Sequence, residues 1–271
     1  MTRLAAVLGW PIGHSRSPAM HDAAFAAIGL DGHMAALAVA PPDLAATVRT
    51  LATDGALGAS VTVPHKQAVA ALCDARSPAA AAVGAVNCLT FSGGRVVGDN
   101  TDVAGFLDGL AEAGVDVSAG PAVLLGSGGA ARAVAHGLAT RGVPIAVVAR
   151  RPADVAWTTA RPWSALASTL ADAALVVDCT SAGLQPATDL AMTATVPLAA
   201  LPATATVATL IYHRGTALLD AAAARGLATV DGRGMLLHQA VRAFAQWTGQ
   251  PAPVAIMRAA LAASLGGSGR R

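Results

Sequence analysis

The chain has 271 residues, of which 54% are hydrophobic and only 13% are charged, and its formal net charge is +2. This composition excludes an intrinsically disordered chain and supplies enough apolar residues for one large α/β unit or two domains. No basic run or strongly positive balance occurs, so a nucleic-acid partner is not expected. No apolar stretch of membrane-spanning length occurs, and the three cysteines lack CxxC spacing. We therefore expect a cytoplasmic protein without a membrane segment, a disulfide framework or a zinc site.

The first part of the chain alternates between strand-like and helix-like segments. Short apolar runs predict strands, and apolar positions at helical spacing predict helices. In chain order we expect a strand at 4–8, a helix at 18–28, a strand at 33–39, a helix at 42–51, a strand at 59–63 and a helix at 64–72. A hairpin is predicted next, with strands at 86–91 and 95–98 joined by Ser92-Gly93-Gly94, and then a helix at 102–113.

The same alternation resumes after the glycine- and proline-containing segment 114–121. We expect strands at 122–125, 145–149, 175–178 and 207–211, with a helix between the first two that ends near residue 140. Two final helices, at 235–248 and 254–265, are expected to pack on the first part of the chain, and residues 266–271 are expected to be disordered. This order predicts a two-domain α/β protein with a parallel sheet and helices on both faces. The predicted domains are residues 1–104, together with the helices at about 234–271, and residues 105–233.

The chain uses arginine for almost every cation, with 17 arginines and a single lysine, Lys66. A lysine ammonium can release its proton near neutral pH when its environment lowers the pKa, whereas a guanidinium effectively cannot. Lys66 is therefore a candidate proton donor. The alternative is a chance survivor on a helix surface.

A glycine-rich turn follows the predicted strand at 122–125 and opens the next helix. Gly126 permits a tight turn, Gly128 lets a pyrophosphate approach the backbone, and the small Ala131 lets the helix pack close to the strand. The helix N-terminus would face the phosphates. A tight turn without a ligand is the alternative, but the flanking strand and helix favour a dinucleotide site. Its cofactor-binding residues would be Gly126, Ser127, Gly128, Gly129 and Ala130.

Two arginines follow the second strand of this domain. Arg150 and Arg151 lie 24 and 25 residues after Gly126, where an NAD site would place Asp or Glu for the ribose 2′-hydroxyl. An arginine pair suits a 2′-phosphate instead, so NADP is the expected cofactor. Solvated surface arginines are the alternative.

Two serines lie on an extended segment just before the first helix, within the motif Gly9-Trp10-Pro11-Ile12-Gly13-His14-Ser15-Arg16-Ser17-Pro18. Ser15 and Ser17 alternate, so their hydroxyls can converge on one anion such as a carboxylate. Helix capping is the alternative. Further motifs follow, which are Val61-Thr62-Val63-Pro64-His65-Lys66, Gly84-Ala85-Val86-Asn87, Gly98-Asp99-Asn100-Thr101-Asp102-Val103-Ala104-Gly105-Phe106 and Asp231-Gly232-x-Gly234-Met235-Leu236-x-x-Gln239.

Taken in order with the glycine loop, these motifs resemble those of the shikimate dehydrogenase family over almost the whole chain. The resemblance implies an N-terminal substrate-binding domain, completed by the C-terminal helices, and a Rossmann-like NADP-binding domain. It implies the reversible, NADP-dependent reduction of 3-dehydroshikimate to shikimate, in the chorismate pathway of aromatic amino acid biosynthesis. We expect this small molecule as the partner, and a monomer or a homodimer as the assembly.

The resemblance also implies roles for individual residues. Lys66 and Asp102 would form the catalytic pair beside the reacting oxygen, and Ser15 and Ser17 would hold the substrate carboxylate. Asn100 is expected to be structural. Further substrate contacts are implied for Thr62, Asn87, Tyr212 and Gln239, and contacts near the nicotinamide for Leu210 and Gly232. No metal is expected, because the seven histidines show no HExxH or paired-ligand spacing.

Hydride reduction of a ketone fits these implied roles, because it leaves a developing alkoxide. A lysine ammonium beside that oxygen supplies both positive charge and a proton, and a neighbouring carboxylate can orient it and share the proton.

Several residues depart from the family pattern. The chain has Ser60 where the family usually has Asn, and Thr209 where it usually has Asp. The usual Asn-Arg-Thr after the second strand of the nucleotide domain is Ala149-Arg150-Arg151 here. Two alternatives therefore stay open, a dehydrogenase of quinate or another shikimate-like compound and a non-catalytic ligand-binding paralogue. Retention of the only lysine argues against the second, because binding alone could use arginine.

Overall fold

The computed structural model describes residues 2–13 and 15–266. The chain divides into two compact units, of which the first comprises Met1–Gly105 and Leu237–Arg271 and the second Phe106–Leu236. Both units combine strands with helices, so the α/β class expected from the sequence is confirmed. The tail predicted to be disordered lies outside the described residues, except for Gly266, which ends the last helix. Among the described residues, no helix is both long and apolar enough to cross a bilayer.

The elements follow the predicted alternation, with added short ones. The strands of the described chain are β1 Arg3–Gly9, β2 Gly32–Ala38, β3 Gly58–Val61, β4 Ala75–Arg76, β5 Cys88–Ser92, β6 Arg95–Asp99, β7 Ala122–Leu125, β8 Ile145–Ala149, β9 Ala160–Pro162, β10 Leu175–Asp178, β11 Thr206–Thr209 and β12 Ala228–Val230. The α-helices are α1 Ser17–Ala27, α2 Leu44–Thr53, α3 Pro78–Val83, α4 Thr101–Glu112, α5 Gly129–Ala139, α6 Leu166–Leu170, α7 Pro186–Thr193, α8 Ala217–Ala223, α9 Arg233–Thr248 and α10 Val254–Gly266.

The first unit is built on a mixed sheet. Its strands have the order β2-β1-β3-β5-β6-β4. Strand β1 runs parallel to β2 and β3, whereas β5 is antiparallel to both β3 and β6. The antiparallel pairing of β3 with β5 was not predicted. The antiparallel β5–β6 pair is the hairpin predicted from the sequence. There Gly93 and Gly94, at φ +56° and +77°, turn the chain back directly into β6.

The two faces of β3 pack against different helices. Ala59 and Val61 belong to one buried cluster with Val48 and Leu51 of α2. Gly58 points the other way, and a Cβ atom at this position would clash with the indole nitrogen of Trp247 in α9. Successive strand residues face opposite sides, so the sheet is covered on both faces by the helices of its own unit.

The helix predicted at 64–72 is wrong in its first half. Only Ala68–Leu72 is helical, as a 3₁₀-helix. The Lys66 carbonyl accepts the Val86 N–H at 2.8 Å, and the His65 N–H donates to the Thr62 carbonyl at 2.9 Å. These backbone groups bond outside a helix, and Pro64 has no N–H to contribute. The segment between β3 and Ala68 is therefore a loop, and Lys66 lies on it.

The second unit, which the structure describes without a gap, holds a parallel sheet as predicted. Its strands have the order β12-β11-β10-β7-β8-β9, and every pair is parallel. Counted from β7, this is the strand order of the Rossmann dinucleotide-binding fold. The order reverses between β7 and β10, and ligands of such sheets bind beyond the carboxyl ends of the strands at that point.

One histidine of the first unit is enclosed by aromatic rings. His21 on α1 is 0% exposed, and its ring centroid lies 6.3 Å from that of Phe25, 6.1 Å from Phe244 and 4.9 Å from Trp247. Within the described part of the chain, neither ring nitrogen has a hydrogen-bond partner. Burial lowers the pKa of His21 from 6.5 to about 3, so the ring is neutral in the folded protein.

We therefore expect His21 to make the fold sensitive to acid. Its contribution is fully present above the unfolded pKa of 6.5 and is lost as the pH falls from there towards about 3, because only the unfolded chain binds the proton. At pH 5 the loss should be about 2 kcal/mol of the free energy of unfolding. Urea unfolding of the wild type and of His21→Leu at pH 7.5 and pH 5 measures it. The variant should lose less stability than the wild type on acidification, and equal losses would contradict the assignment.

Candidate active site

Several predicted site residues follow strands that end at one edge of the first unit's sheet. Strands β1 and β3 are parallel, with Leu8 paired to Val61, so their carboxyl ends lie side by side. Strand β6 is antiparallel to β5, which is itself antiparallel to β3, so β6 ends at the same edge. The loops after β1, β3 and β6 carry Ser15, Lys66 and Asn100, respectively. This edge is where the topology gathers the polar motifs of the first unit.

Lys66 and Asp102 form a close pair at this edge. Lys66 Nζ donates a hydrogen bond of 2.6 Å to Asp102 Oδ2, although the residues are 36 positions apart. Their side chains are 23% and 9% exposed, respectively. Asp102 lies in the first turn of α4. An ammonium held by a largely buried carboxylate, yet still partly open to solvent, can deliver a proton to a ligand beside it.

The Lys66 loop is anchored on both sides. His65 is 1% exposed, and its Nε2 donates to the Val39 carbonyl at 2.7 Å. The Lys66 carbonyl accepts from Val86 N–H, as described above. The His65 ring is therefore bound to backbone, and its bond fixes the residue that precedes the lysine.

Asn87 holds the segment that carries Asp102, the other residue of the pair. Its Oδ1 accepts the Thr101 N–H at 2.7 Å, and its Nδ2 donates to Thr101 Oγ1 at 3.0 Å. These bonds hold the start of α4, one residue before Asp102, and Asn87 is only 3% exposed. The Thr101 hydroxyl also donates to Oδ1, at 3.2 Å, so the hydrogen-bonding capacity left for a ligand is the second Nδ2 hydrogen. Asn100 Nδ2 donates to the Ala85 carbonyl at 2.9 Å, which fits the structural role expected for it, whereas its buried Oδ1 has no partner among the described residues.

The two serines lie where β1 leads into α1. Ser15 Oγ accepts the Ser17 N–H at 3.3 Å, and Ser17 is 5% exposed. The N-cap of α1 is Arg16, and among the described residues no side chain caps that end of the helix, so the capping alternative is not what the structure shows. The Ser15–Ser17 bond is a local turn that leads into the helix. It occupies one lone pair of Ser15 and leaves its hydroxyl hydrogen to donate.

Thr62 and Gln239 belong to the same unit. The Thr62 N–H donates to the Leu8 carbonyl at 2.9 Å, which extends the β1–β3 pairing by one residue. Gln239 on α9 is 7% exposed, and Gly105 of α4 lies against it. A Cβ atom at Gly105 would lie 2.6 Å from the Gln239 backbone nitrogen, so glycine is what lets the two helices approach this closely.

Ser60, which replaces the Asn of the family that the sequence resembles, is 6% exposed on β3. Its Oγ has no hydrogen-bond partner among the residues that the structure describes. Strand alternation puts Ser60 on the same side of the chain as Thr62, two residues later. A buried hydroxyl without a protein partner is thus close in sequence to a candidate substrate contact.

In the second unit, the glycine loop follows β7 at the reversal of strand order. Gly126 has φ +98°, so its backbone conformation requires glycine, and a Cβ atom there would lie 3.2 Å from Thr180 Cγ2, a tight contact. Added Cβ atoms at Gly128 and Gly129 would meet nothing within 4 Å, so the space in front of the loop is open. The loop opens α5, whose first N–H groups face outward without helical partners. Such a turn fits a pyrophosphate.

The same unit contains a cavity of about 540 Å³, and Thr180, which lies against Gly126 of the loop, is part of its lining. Its lining includes a guanidinium, hydroxyls and apolar groups, which are Arg150, Thr180, Ser181, Thr188, Trp163 and Met192. This combination fits the adenosine 2′-phosphate half of NADP, since the guanidinium suits the phosphate and the apolar groups suit the base.

The two arginines predicted for the phosphate lie in different surroundings. Arg150 lines the cavity. The Arg151 side chain is 85% exposed, and its Nε lies 3.2 Å from Asp154 Oδ2. Arg150 is therefore better placed than Arg151 to bind the 2′-phosphate of NADP.

The cavity also contains residues that the sequence analysis did not assign. Thr180 and Ser181 follow β10, the strand beside β7, and that position was the signal that could have found them. Trp163 and Met192 had no sequence signal, because they come from segments far from any motif. Directly before Thr180 in the chain, burial raises the pKa values of the Asp178 carboxyl and the Cys179 thiol. The Thr180 N–H donates to Asp178 Oδ1 at 2.9 Å, which opposes the rise for the carboxyl. Cys179 therefore remains a neutral thiol.

Leu210, Tyr212 and Gly232 lie beyond the ends of β11 and β12. A Cβ atom at Gly232 would clash with the Leu210 carbonyl, and the Gly232 N–H donates to the Ile211 carbonyl at 2.9 Å. The Tyr212 carbonyl accepts from Arg233 Nε at 3.5 Å. Glycine at 232 thus lets the segment after β12 contact the segment after β11.

The described residues contain no group of three or more His, Cys, Asp or Glu side chains arranged to hold a metal ion.

Comparison with known proteins identifies the family. Residues 7–89 match the shikimate dehydrogenase substrate binding domain, and residues 232–262 match the shikimate 5′-dehydrogenase C-terminal domain. A relative from Acidiphilium cryptum is 46% identical over 255 residues, 91% of each chain. A relative from Symbiobacterium thermophilum is 43% identical over 282 residues, 98% of this chain and 95% of its own. Both are named shikimate dehydrogenase (NADP(+)).

Solved structures agree with this assignment. The shikimate dehydrogenase of Thermus thermophilus, in complex with NADP(H) and shikimate, has a TM-score of 0.86 and 33% identity, covering 97% of this chain and 99% of that one. The quinate dehydrogenase of Corynebacterium glutamicum, in complex with NAD, has a TM-score of 0.87 and 31% identity, with 97% and 99% coverage. Because identity above 40% extends over more than nine-tenths of the chain, this protein belongs to the shikimate dehydrogenase family.

Proposed function

We propose that this protein catalyses the NADP-dependent, reversible reduction of 3-dehydroshikimate to shikimate, within aromatic amino acid biosynthesis. The observation that carries the proposal is the 2.6 Å hydrogen bond from Lys66 Nζ to Asp102 Oδ2, made by the only lysine of the chain. Relatives named shikimate dehydrogenase (NADP(+)) that are 41–46% identical over most of the chain support the substrate and the cofactor.

NADPH, when bound, supplies the hydride that reduces the substrate ketone. Lys66 places its ammonium beside the reacting oxygen, stabilises the negative charge that develops there and donates a proton to it. Asp102 holds the ammonium in place and shares its proton. In the oxidative direction the same amine accepts the hydroxyl proton, and Asp102 stabilises the ammonium that forms.

Other residues bind and orient the substrate. Ser15 and Ser17 donate hydroxyl hydrogens to its carboxylate. Further hydrogen bonds to its ring hydroxyls or its carboxylate come from Thr62, Asn87, Tyr212 and Gln239. Asn87 has a second role, since its bonds to Thr101 hold the turn that carries Asp102.

The cofactor site belongs to the second unit. The backbone of the turn would hold the pyrophosphate, through Gly126, Ser127, Gly128, Gly129 and Ala130. Trp157 Nε1 donates to the Ser127 carbonyl at 3.0 Å and so braces this turn. Arg150 would bind the 2′-phosphate, with Arg151 next to it in the chain, and Leu210 and Gly232 would form the part of the site near the nicotinamide. The two-unit chain is thus divided into a substrate-binding domain and a NADP-binding domain.

We also assign the protein to the cytoplasm, as a monomer or a homodimer. All three cysteines, Cys73, Cys88 and Cys179, are free, which fits a reducing compartment. The substrate and NADP are small molecules, and the near-neutral charge balance of +2 gives no basis for a nucleic-acid partner.

Steady-state turnover tests the proposed reaction directly. The purified protein should oxidise shikimate with NADP, with higher kcat/KM than for quinate with NADP or for shikimate with NAD. A preference for quinate would favour the alternative of a quinate dehydrogenase. Binding of shikimate without turnover would contradict the enzymatic assignment and favour a ligand-binding paralogue.

Replacement of the single lysine tests its proton transfer. Lys66→Arg keeps the positive charge, but a guanidinium cannot release a proton at neutral pH, so kcat should fall about 100- to 10,000-fold. The Kd for shikimate, measured by calorimetry, should change by no more than about tenfold. Asp102→Asn should also lower kcat, because the amide cannot carry the charge that orients the ammonium.

The double variant provides the control for this prediction. Because both residues serve one proton transfer, the combined loss in kcat should be smaller than the product of the single losses. A Lys66→Arg enzyme with nearly normal kcat would mean that this position supplies charge alone.

The neighbouring arginines offer a matched test of cofactor choice. Arg150→Ala should raise the Kd for NADP about 10- to 100-fold and that for NAD much less, because a charge-assisted contact to the 2′-phosphate is lost. Arg151→Ala removes the same type of side chain one residue away and should have a smaller effect, since its guanidinium already pairs with Asp154. Calorimetry with both cofactors measures this, and equal losses for NADP and NAD would refute the 2′-phosphate assignment.

A further inference from the structure

The second unit contains a buried ion pair that the reaction chemistry does not use. Asp189 on α7 is 0% exposed, and its Oδ2 accepts from Arg214 Nη1 at 2.9 Å, with the Arg214 side chain 28% exposed. Within the described residues, Asp189 Oδ1 has no hydrogen-bond partner. Burying a carboxylate is costly, and such pairs often contribute little net stability compared with apolar residues of similar size. A role in fixing local geometry would account for the pair.

The pair fastens two segments together. Asp189 Oδ2 also accepts the Ala217 N–H, at the start of α8, at 2.8 Å. Arg214 Nη1 also donates to the Gly183 carbonyl at 2.9 Å. Gly183 in turn packs against Ile211, where an added Cβ atom would lie 2.7 Å from Ile211 Cγ1. The segment 211–217 is therefore bound at its start, middle and end to the segment 183–189.

Tyr212 lies inside the fastened segment. It follows Ile211 directly and precedes Arg214 by two residues. Arg233 Nε donates to the Tyr212 carbonyl at 3.5 Å. The backbone on both sides of Tyr212 is thus held, at Ile211 by packing against Gly183 and at Arg214 by its bonds to Gly183 and Asp189.

We propose that Asp189 is a positioning residue that acts through Arg214 to hold segment 211–217, and with it Tyr212, in the conformation that binds shikimate. The inference rests on the proposed function, because it takes Tyr212 as a substrate contact. It adds a determinant of substrate affinity that lies on α7, outside every motif that identifies the family.

The composition of the chain provides a direct probe, because Tyr212 is its only tyrosine. Protein grown with 3-fluorotyrosine carries one ¹⁹F label, at position 212, and its NMR signal reports the surroundings of that ring. Asp189→Asn keeps the size of the side chain but removes the charge that holds Arg214. We expect the ¹⁹F signal of Asp189→Asn to shift or broaden relative to the wild type without any ligand. Asp220→Asn, which removes an exposed carboxylate from the neighbouring α8, should leave the signal unchanged.

Kinetics give a second readout that loss of folded protein alone would not move. Asp189→Asn should raise the KM for shikimate about tenfold and lower kcat by less, as expected for a lost substrate contact. In a Tyr212→Phe background, Asp189→Asn should change the shikimate KM by less than about twofold, because both changes remove one contact. Arg214→Gln should raise the KM for shikimate in the same way. It is the second test variant if Asp189→Asn does not fold.

The outcomes separate this inference from the proposed function. If shikimate moves the wild-type ¹⁹F signal and is turned over, but the Asp189 and Arg214 variants match the wild type in signal and KM, the positioning role is refuted. It is also refuted if Asp189→Asn raises the KM equally with and without the Tyr212 hydroxyl. If the wild type neither turns over shikimate nor responds to it, the proposed function fails. The ligand-free signal of the variants still decides whether Asp189 positions Tyr212.

Discussion

The hydrogen bond between Lys66 and Asp102 requires that two loops, delivered by different strands, meet at one edge of a sheet. The mixed topology of the first unit satisfies this requirement, because β1, β3 and β6 all end at that edge. Anchors around the pair then restrict its geometry. His65 bonds to backbone on the lysine side, and Asn87 holds Thr101 on the aspartate side. A flexible lysine side chain needs such anchors if its proton is to be delivered at a defined atom.

The arginines and acidic residues of the second unit show how burial changes what a charge does. The exposed Arg151–Asp154 pair is solvated on both sides, and pairs of this kind contribute little to stability. Arg150 lines a cavity and does not pair with Asp154, so its charge is available to a phosphate. Asp189 is fully buried, and its carboxylate binds both Arg214 and the Ala217 N–H. Similar side chains thus serve solvation, ligand binding and positioning, according to their surroundings.

Close packing at glycines supports both sites. Gly105 brings α4 against Gln239, Gly232 brings its segment against Leu210, and Gly58 makes room for Trp247. None of these three glycines has a positive φ, so the absence of a Cβ atom is what each position needs. Trp247 in turn encloses His21, and its indole N–H donates to the Leu89 carbonyl at 2.9 Å. The aromatic cluster therefore joins α1 and α9 to the sheet that carries the catalytic loops.

Local pattern in the sequence was enough to predict the parallel sheet of the second unit, since short apolar runs flanked by glycine and polar residues mark buried strands. It also singled out Lys66, because a lone lysine among arginines is a chemical signal that needs no coordinates. Tertiary structure alone decided that residues 64–67 form a loop, that Arg150 rather than Arg151 lines the cavity, and that Asp189 pairs with Arg214. Periodicity reports whether a residue is buried, but not which distant residue it meets. That partner is set by strand order and helix packing, which bring together side chains far apart in the chain.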